Sequence, residues 1–375
     1  MLQNLKKILN IFVFLSIGVC FFVLFHDFFR FSARAPYFAI DDALANISVT
    51  LSNLGQYGFL ASPIQAGGEA RYIRTHGFFN YGPWPFYAGA ALDWLFGSSY
   101  VVQRALHPIG LLVLCVFAAV SFRRVSVAAG GTFALLVLNA YWLTHWPMVR
   151  PDIFVAIFGG AAIASFVRAL DGDRNLAWYL GGFFVAAAVT THQIAWALVP
   201  WSLVMWIGRC LFRDAFNREA LFRLMSLALG GLSGLLVYLV AIEFRIADLF
   251  GLWRGLGSFV QEQDPGGFGS VLRSHLVMAW AGFPRWQSLS FAVLFGASIV
   301  LCITAVVVRV PARDRVLAIL LPPVSVALFY SLSLGLYSNT HSGYALLSQI
   351  AMFWAIASGI AAAILLSSNW RFSSA

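Results

Sequence analysis

The sequence predicts an all-α polytopic membrane protein with about ten transmembrane helices, and three observations lead to this fold class. Hydrophobic residues make up 61% of the 375 residues and charged residues only 10%, whereas a soluble domain carries about 25% charged residues. The mean hydropathy is +0.82. Apolar runs of roughly 20 residues, the length that crosses a bilayer as a helix, recur along the chain. They lack the polar alternation of β-barrel strands, which excludes a barrel.

Hydropathy windows of about 19 residues locate the individual spans. These lie near 8–29, 101–121, 126–145, 152–169, 177–191, 194–209, 222–243, 287–308, 315–336 and 345–367. Two long loops remain, about 30–100 and 244–286, and no internal repeat or separate soluble domain is visible. We therefore expect residues 1–375 to form a single transmembrane domain.

The distribution of Arg and Lys predicts the orientation, because short cytoplasmic segments are rich in basic residues. Basic residues cluster in short segments on one side, near 6–7, 123–124, 168–174, 209–223, 309–315 and 371. Both termini should therefore be cytoplasmic and both long loops external. The first span resembles a signal peptide, but its apolar core exceeds the roughly 7 to 15 residues of a signal, so we expect an uncleaved anchor. We expect a bacterial inner-membrane protein whose active site faces the periplasm or the exterior.

The long external loops are expected to carry amphipathic helices that lie along the membrane. In the first loop, residues 40–57 are predicted to be helical, as are residues 83–96, which begin at Pro83 and are followed by Gly97. A different glycine pattern, the Gly-Gly-Leu-Ser-Gly run at 230–234, lies within a span. It predicts close helix packing rather than a phosphate-binding loop.

Cysteine spacing and charge argue against two kinds of site. The four cysteines lie within or beside apolar runs, without a CxxC pair or a His/Cys cluster, so disulfides and zinc are not expected. The net charge of +9 comes from short loops rather than from one basic face, so we expect no nucleic-acid binding. No cofactor is predicted. The acidic loop 261–267 leaves a divalent cation or a sugar as alternatives to a solvated turn.

All seven histidines fall in the external loops or at that edge of the membrane, although the orientation rests on Arg and Lys alone. They are His26, His76, His107, His145, His192, His275 and His341. An external active site is the economical explanation. The alternative is that long loops simply collect polar residues.

The pair Asp41-Asp42, directly after the first span, is the most informative motif. Two adjacent carboxylates repel each other, so their pairing needs an explanation. One of them would act as a general base that takes the proton from an attacking hydroxyl, while its neighbour orients it or raises its pKa. The alternative is a helix cap. Neither Asp is followed three residues later by the Glu or Gln of a capping box.

Further short motifs follow this acidic pair along the chain. They are Gly55-Gln-Tyr-Gly58-Phe, Asn80-Tyr-Gly-Pro-Trp-Pro-Phe-Tyr, Leu95-Phe-Gly97, Arg150-Pro-Asp152 at the start of a span, and Ser342-Gly-Tyr344-Ala-Leu-Leu-Ser348. In this order they resemble the GT-C glycosyltransferases, in particular the polyprenyl-phosphate-sugar-dependent branch related to protein mannosyltransferases and lipid A aminoarabinose transferases. The last motif lacks the basic residue and the proline of that family. The resemblance covers most of the chain as an architecture.

The resemblance implies a membrane glycosyltransferase that moves a sugar from a polyprenyl phosphate donor to a hydroxyl of a glycolipid, polysaccharide or protein, with inversion. It implies a catalytic base at Asp41 or Asp42 and a second acidic or acceptor-positioning role for Asp152. The candidate substrate-binding residues are Arg150, His192, His341, His76, Tyr81 and Glu262, the first three as contacts to the donor phosphate. No metal ligands are assigned.

These assignments have alternatives. Arg150 and Asp152 would also make sense as an ion pair at a helix mouth, and His192 as a buried, hydrogen-bonded side chain. At the level of function, one alternative is a multi-spanning transporter or lipid flippase, which predicts internal symmetry and helices broken near the midplane. Another is a noncatalytic assembly subunit that keeps the architecture.

Cysteine labelling in intact membranes tests the predicted orientation. A cysteine introduced at Gln263 should react with an impermeant maleimide from outside, whereas cysteines in 209–223 should react only once the inner face is opened. The reverse pattern would contradict the orientation and the external site together.

Overall fold

The computed structural model describes most of the helical part of the chain. The described residues are 83–97, 99–122, 127–139, 152–172, 174–241, 285–307, 313–334 and 346–373, the pairs 59–60 and 72–73, and isolated positions between 11 and 26 and between 244 and 277. Among them the fold is almost entirely α-helical, as predicted. The helix expected at 40–57 lies outside the described residues.

The described helices match the predicted spans. Their bounds are α1 Trp84–Phe96, α2 Tyr100–Arg104, α3 Leu106–Phe122, α4 Val127–Asn139, α5 Asp152–Asp171, α6 Asn175–Thr191, α7 Leu198–Arg209, α8 Arg218–Ala241, α9 Arg285–Val307, α10 Arg313–Leu334 and α11 Leu346–Ser373. A 3₁₀ turn, Gln193–Ala197, precedes α7, and a π turn, Cys210–Asp214, follows it. Each span predicted from residue 101 onward overlaps a helix, whereas 8–29 is described only at isolated helical positions.

Six stretches of the described residues are long and apolar enough to cross a membrane. They are Val101–Phe122, Asp152–Asp171, Gln193–Arg213, Arg218–Ala241, Arg313–Leu334 and Leu346–Leu366. Helix α6 and the part of α9 from Ala292 to Val307 are apolar but shorter. The chain is therefore a polytopic membrane protein, and the total of ten spans stays a prediction.

The first long loop contains a strand pair and a helix. Strands β1 (Phe59–Leu60) and β2 (Tyr72–Ile73) pair antiparallel, which the sequence pattern did not indicate. Helix α1 was predicted correctly at both ends. Pro83 is its N-cap, and Gly97 ends it at φ +83°, a backbone conformation that favours glycine.

Helix α5 is the central helix of the bundle. It is apolar on all sides and almost wholly buried, as expected for a helix surrounded by other helices. Phe166 meets Trp178 of α6 and Trp201 of α7 edge-on, at ring-centroid distances of 5.6 and 4.9 Å. The 20 residues of α5 extend about 30 Å. Asp152 and Asp171, at its two ends, therefore mark opposite faces of the membrane.

Helices α6 and α8 pack against each other more extensively than any other described pair, and glycines permit the approach. A Cβ atom on Gly182 would overlap the carbonyl oxygen of Leu227, and one on Gly230 would overlap the carbonyl oxygen of Tyr179. Only glycine lets two helix backbones come this close. The Tyr179 hydroxyl donates to Ser233 Oγ at 3.0 Å across the same interface. The close packing predicted for this glycine-rich run is confirmed.

Replacing Gly230 by Ala should lower the free energy of unfolding by about 1–3 kcal/mol, because the added methyl group collides with backbone that has little room to move. Gly231→Ala is the matched control, since its Cβ would meet only the Gly182 carbonyl oxygen, at 3.9 Å. Alanine there should be neutral or slightly stabilising through its higher helix propensity. Thermal unfolding of both purified variants in detergent measures the difference, and equal melting temperatures would contradict the close contact.

Candidate active site

The direction of α5 and α6 brings two predicted site residues to one end of the bundle. A short connection at 172–174 joins these helices, which run antiparallel with Phe158 stacked on Phe184 at a centroid distance of 6.4 Å. Asp152 is the first residue of α5, and His192 directly follows α6. Both therefore lie at the same end, which the orientation argument predicts to be external.

The start of α3 lies at this end too, because α3 runs parallel to α5. Gly110 of α3 lies against Ile153 and Ile157, and Leu114 lies against Gly160 further along both helices. Many of the buried polar and charged side chains gather here. Those on α1, α2, α3, α5, α6 and the residue after α6 are Asp93, Gln103, Arg104, His107, Asp152, Thr191 and His192.

Asp152 is 2% exposed and lies in the first turn of α5. The positive end of the helix dipole favours a carboxylate at this position. Burying an acid at membrane depth is nevertheless costly, so such residues are functional candidates by default. Its catalytic or acceptor-positioning role stays a prediction.

His192 occupies a bend between α6 and the 3₁₀ turn. Its backbone is extended, and its Nδ1 accepts a hydrogen bond from the Ile194 backbone N–H at 3.1 Å. The neutral ring therefore carries its proton on Nε2. The structural alternative, a buried hydrogen-bonded histidine, is confirmed for Nδ1. Contact with a donor phosphate through Nε2–H stays a prediction.

A further group of buried polar side chains, none of them among the predicted site residues, lies between α1, α2 and α3. Gln103 donates through Nε2 to the carbonyl oxygen of Gly89 in α1, at 3.2 Å. Asp93 is 4% exposed, and within the described residues neither of its carboxylate oxygens has a hydrogen-bond partner. Burial raises the pKa of the Asp93 carboxyl, and a weaker polar contact with the Gln103 side chain, longer than a hydrogen bond, offsets part of the rise. Asp93 therefore keeps its proton to a higher pH than an exposed aspartate.

Arg104 and His107 extend this group to the start of α3, and both are buried. A sequence signal for Arg104 did exist, because it lies near the start of the apolar stretch Val101–Phe122, where charge is costly. Asp93 offered no comparable signal. It lies in the short helix α1 next to Trp94, which is 80% exposed, and no feature of the local sequence distinguishes it from a solvated residue.

Aromatic contacts hold α1 over this end of the bundle. The Trp84 ring meets Phe158 of α5 and Phe183 of α6 edge-on, at centroid distances of 5.5 and 6.0 Å. Such pairs add about 0.5–1.5 kcal/mol each beyond the apolar area they bury. Helix α1 thus carries Asp93 to the end where Asp152 and His192 lie.

Buried charges at the opposite end have structural partners. Arg209 donates to the carbonyl oxygen of Leu170 near the C-terminus of α5, where a cation is favourable. Arg223 pairs with Glu219 at 3.4 Å. The Arg209 contact ties the end of α7 to the end of α5, and the Arg223–Glu219 pair lies within the first turns of α8, so both have a structural role.

Most of the predicted site residues lie outside the described residues. They are Asp41, Asp42, Arg150, His341, His76, Tyr81 and Glu262. Within the described part of the chain, no group of three or more His, Cys, Asp or Glu could hold a metal ion. The roles of these candidates, and the question of a divalent cation, stay predictions.

Two solved proteins resemble the chain over nearly its whole length. ArnT from Cupriavidus metallidurans bound to undecaprenyl phosphate matches with a TM-score of 0.60 and 16% identity, over 96% of this chain and 61% of ArnT. The apo state of ArnT matches with a TM-score of 0.57 and 16% identity, over 93% of this chain and 59% of ArnT. The second protein is the archaeal oligosaccharyltransferase AglB from Archaeoglobus fulgidus, in complex with an inhibitory peptide and a dolichol-phosphate. It matches with a TM-score of 0.50 and 15% identity, over 94% of this chain and 50% of AglB. The chain has the GT-C fold.

The GT-C fold implied by the resemblance is confirmed. By sequence, no protein-family model matches the chain. The 2-carboxy-1,4-naphthoquinone phytyltransferase of Synechocystis sp. is 25% identical over 139 residues, which are 36% of this chain and 45% of that protein. The chain covers less than two-thirds of the length of each of these proteins.

Asp93→Asn should stabilise the folded protein at neutral pH by about 1 kcal/mol, because it removes a buried carboxyl whose ionised form is poorly solvated. The raised pKa means that the folded state binds a proton more tightly than the unfolded state. Wild-type stability should therefore fall, relative to the variant, as pH rises through the folded pKa. Melting temperatures measured from pH 4 to 8 test this sign.

Asp171→Asn is the control, since Asp171 pairs with Arg315 at 3.4 Å and its removal should not stabilise the protein. A loss of stability in Asp93→Asn that grows as pH rises would mean that the carboxylate has a partner favouring its charged form.

Proposed function

We propose that the protein transfers a sugar from a polyprenyl phosphate donor to a hydroxyl acceptor at the external face of a bacterial inner membrane. The observation that carries this proposal is the GT-C fold, shared with ArnT bound to undecaprenyl phosphate and AglB with a dolichol-phosphate. Buried acidic, cationic and amide side chains at one end of the bundle support it. The phytyltransferase likeness also involves an enzyme named for an isoprenoid group.

The reaction needs a base on one side of the sugar and cations on the other. The acceptor oxygen attacks the anomeric carbon as the bond from that carbon to the phosphate oxygen breaks, and the base takes the hydroxyl proton. A single displacement of this kind inverts the anomeric configuration. Arg and His side chains stabilise the departing phosphate, Arg through two parallel hydrogen bonds and His through a pH-dependent one.

The candidate residues divide between these two tasks. Asp41 or Asp42 is the proposed base, and Asp152 positions the acceptor or acts as a second acid. His192 is assigned to the phosphate side, since its Nδ1 accepts from the Ile194 N–H and its Nε2 therefore carries the proton that a phosphate contact requires. The remaining proposed phosphate and sugar contacts are Arg150, His341, His76, Tyr81 and Glu262.

The acceptor class is a glycolipid, a polysaccharide or a protein. Each offers a hydroxyl group that one carboxylate base deprotonates in the same way, so the proposed chemistry is common to all three. Candidate acceptors are therefore best screened with a fixed polyprenyl phosphate sugar donor.

The transporter or flippase alternative has less support from the described helices. A transporter of the inverted-repeat kind places its site at the midplane, beside interrupted helices. Helix α10 contains Pro322 and Pro323 yet runs unbroken from Arg313 to Leu334. The buried acids and histidines lie instead at one end of the bundle.

Asparagine variants of the acidic residues test the reaction. Asp42→Asn should reduce transfer by about 10²–10⁴-fold, because Asn keeps the size of Asp but accepts no proton. We expect only one residue of the Asp41-Asp42 pair to be indispensable. Asn caps helices about as well as Asp, so a cap would survive the change. The measurement is transfer from a polyprenyl phosphate sugar by purified protein in vesicles.

Asp314→Asn, at the start of α10 on the opposite face, is the control and should leave transfer unchanged. Near wild-type transfer by Asp41→Asn, Asp42→Asn and the double variant would refute the base assignment and make Asp152 the next candidate. If the wild type binds the polyprenyl phosphate without transferring sugar, the interpretation as a noncatalytic assembly subunit is correct. Transbilayer movement of the lipid without transfer would identify a flippase.

A further inference from the structure

A cavity of about 420 Å³ lies between α3, α5 and α6, at the face of the membrane opposite Asp152. Its position follows from the residues that line it, which come from the end of α3, the second half of α5 and the first ten residues of α6, with Ile319 of α10. Its apolar walls are formed mainly by Phe117, Val120, Ala161, Ala164, Leu180 and Phe184. This volume is within the range of about 300–1,000 Å³ typical of ligand pockets.

The mouth of the cavity is cationic. Arg168 and Arg174 line it, and both are exposed. Asp171 lines it too, but its carboxylate pairs with Arg315, which lies outside the cavity, at 3.4 Å. In the sequence, Asp173 also lies between the two arginines, and Arg168, Arg174 and Arg315 together exceed Asp171 and Asp173 by one positive charge.

The N-terminus of α6 adds to this field. Arg174 is the N-cap of α6, its side chain makes no capping hydrogen bond, and the first turn contains no acidic residue. The first backbone N–H groups of a helix have no partner within the helix, and the helix dipole makes this end positive. The site thus combines two guanidinium groups with a helix end that attracts an anion.

The cavity also opens towards the lipid side of the bundle. Val120 and Leu176, at its rim, are 37% and 64% exposed. Apolar side chains exposed on a membrane-spanning protein face hydrocarbon. A ligand that enters from the bilayer therefore meets apolar walls at depth and arginines at the level of the headgroups.

We propose that this cavity binds one anionic phospholipid of the adjoining leaflet, with the phosphate of the headgroup on Arg168 and Arg174 and an acyl chain against Phe117 and Phe184. An apolar chain joined to a phosphate matches both parts of the cavity, whereas a soluble anion would leave the apolar walls uncovered. Residues 168–174 belong to the side predicted to be cytoplasmic, so the lipid comes from the inner leaflet. The site is separate from the proposed sugar transfer, because its arginine mouth lies at the opposite end of α5 from Asp152.

Lipid retention by the purified full-length protein tests the proposal. Native mass spectrometry in a nonionic detergent would compare phosphatidylglycerol with phosphatidylcholine, each added at increasing concentration. We expect one phosphatidylglycerol per chain at concentrations where phosphatidylcholine is not retained. The double variant Arg168→Gln/Arg174→Gln should weaken this binding on the order of tenfold or more, since hydrogen bonds between charged partners are lost.

Two further variants separate the cavity from general surface charge. Arg218→Gln removes a cation on the same face that stacks over Phe222 at 5.4 Å and does not line the cavity. It should bind phosphatidylglycerol as the wild type does. Ala164→Leu fills the cavity without changing charge and should also weaken binding, provided that its melting temperature without lipid matches that of the wild type.

Three outcomes would overturn the proposal. Equal losses in Arg218→Gln and the double variant would mean that only surface charge attracts the lipid. Competition by inorganic phosphate as effective as that by phosphatidylglycerol would mean an anion site without a lipid. Retention of phosphatidylglycerol unchanged by the arginine double variant would place the lipid elsewhere on the protein.

Discussion

The free-energy cost of removing polar groups from water constrains every part of this structure. In a bilayer, every backbone amide and carbonyl must find a partner within the protein, and helices provide one for all but the end groups. A side chain with charge or hydrogen-bonding capacity has the same need. The described bundle places most such side chains near helix ends, and α5, its central helix, is apolar between Asp152 and Asp171 except for Ser165 and Arg168.

The two ends of the bundle meet this cost differently. At one end, Arg209 and Arg223 make contacts to helix ends and to a neighbouring glutamate, so their burial has a structural explanation. At the other, α1 covers a polar group that includes Asp93, whose carboxylate has no hydrogen-bond partner within the described residues. A fold keeps such a group at a cost in stability, and it lies at the end of the bundle where the transfer reaction is proposed.

Sequence patterns identified the elements whose physical signals are local. The ends of α1 follow from Pro83 and Gly97, because each residue restricts or permits particular backbone conformations. The glycines spaced within a span predicted that α8 packs closely against another helix. They did not predict that this partner helix is α6. The position of Asp152 at the opening of a buried helix was also predictable, because an acid before a long apolar run has few other places to lie.

Other features depend on contacts between distant segments and had no local signal. The strand pair of β1 and β2 joins residues with ordinary composition. Asp93 is buried only because α1 folds back over α2 and α3, and no single window of the sequence contains that contact. The cationic cavity likewise depends on three helices meeting, since Arg168 and Arg174 by themselves indicate only a cytoplasmic loop. The Asp41-Asp42 pair, the strongest motif in the sequence, lies outside the described residues.

The contact between α6 and α8 also restricts how a long isoprenoid chain reaches the polar end of the bundle. Where two backbones lie within van der Waals distance at Gly182 and Gly230, no hydrocarbon chain passes between them without separating the helices. At these positions the pair is closed to lipid. The polyprenyl tail of the proposed donor would therefore leave the site through a different side of the bundle, so two glycines in the interior of a helix pair restrict the direction of its approach.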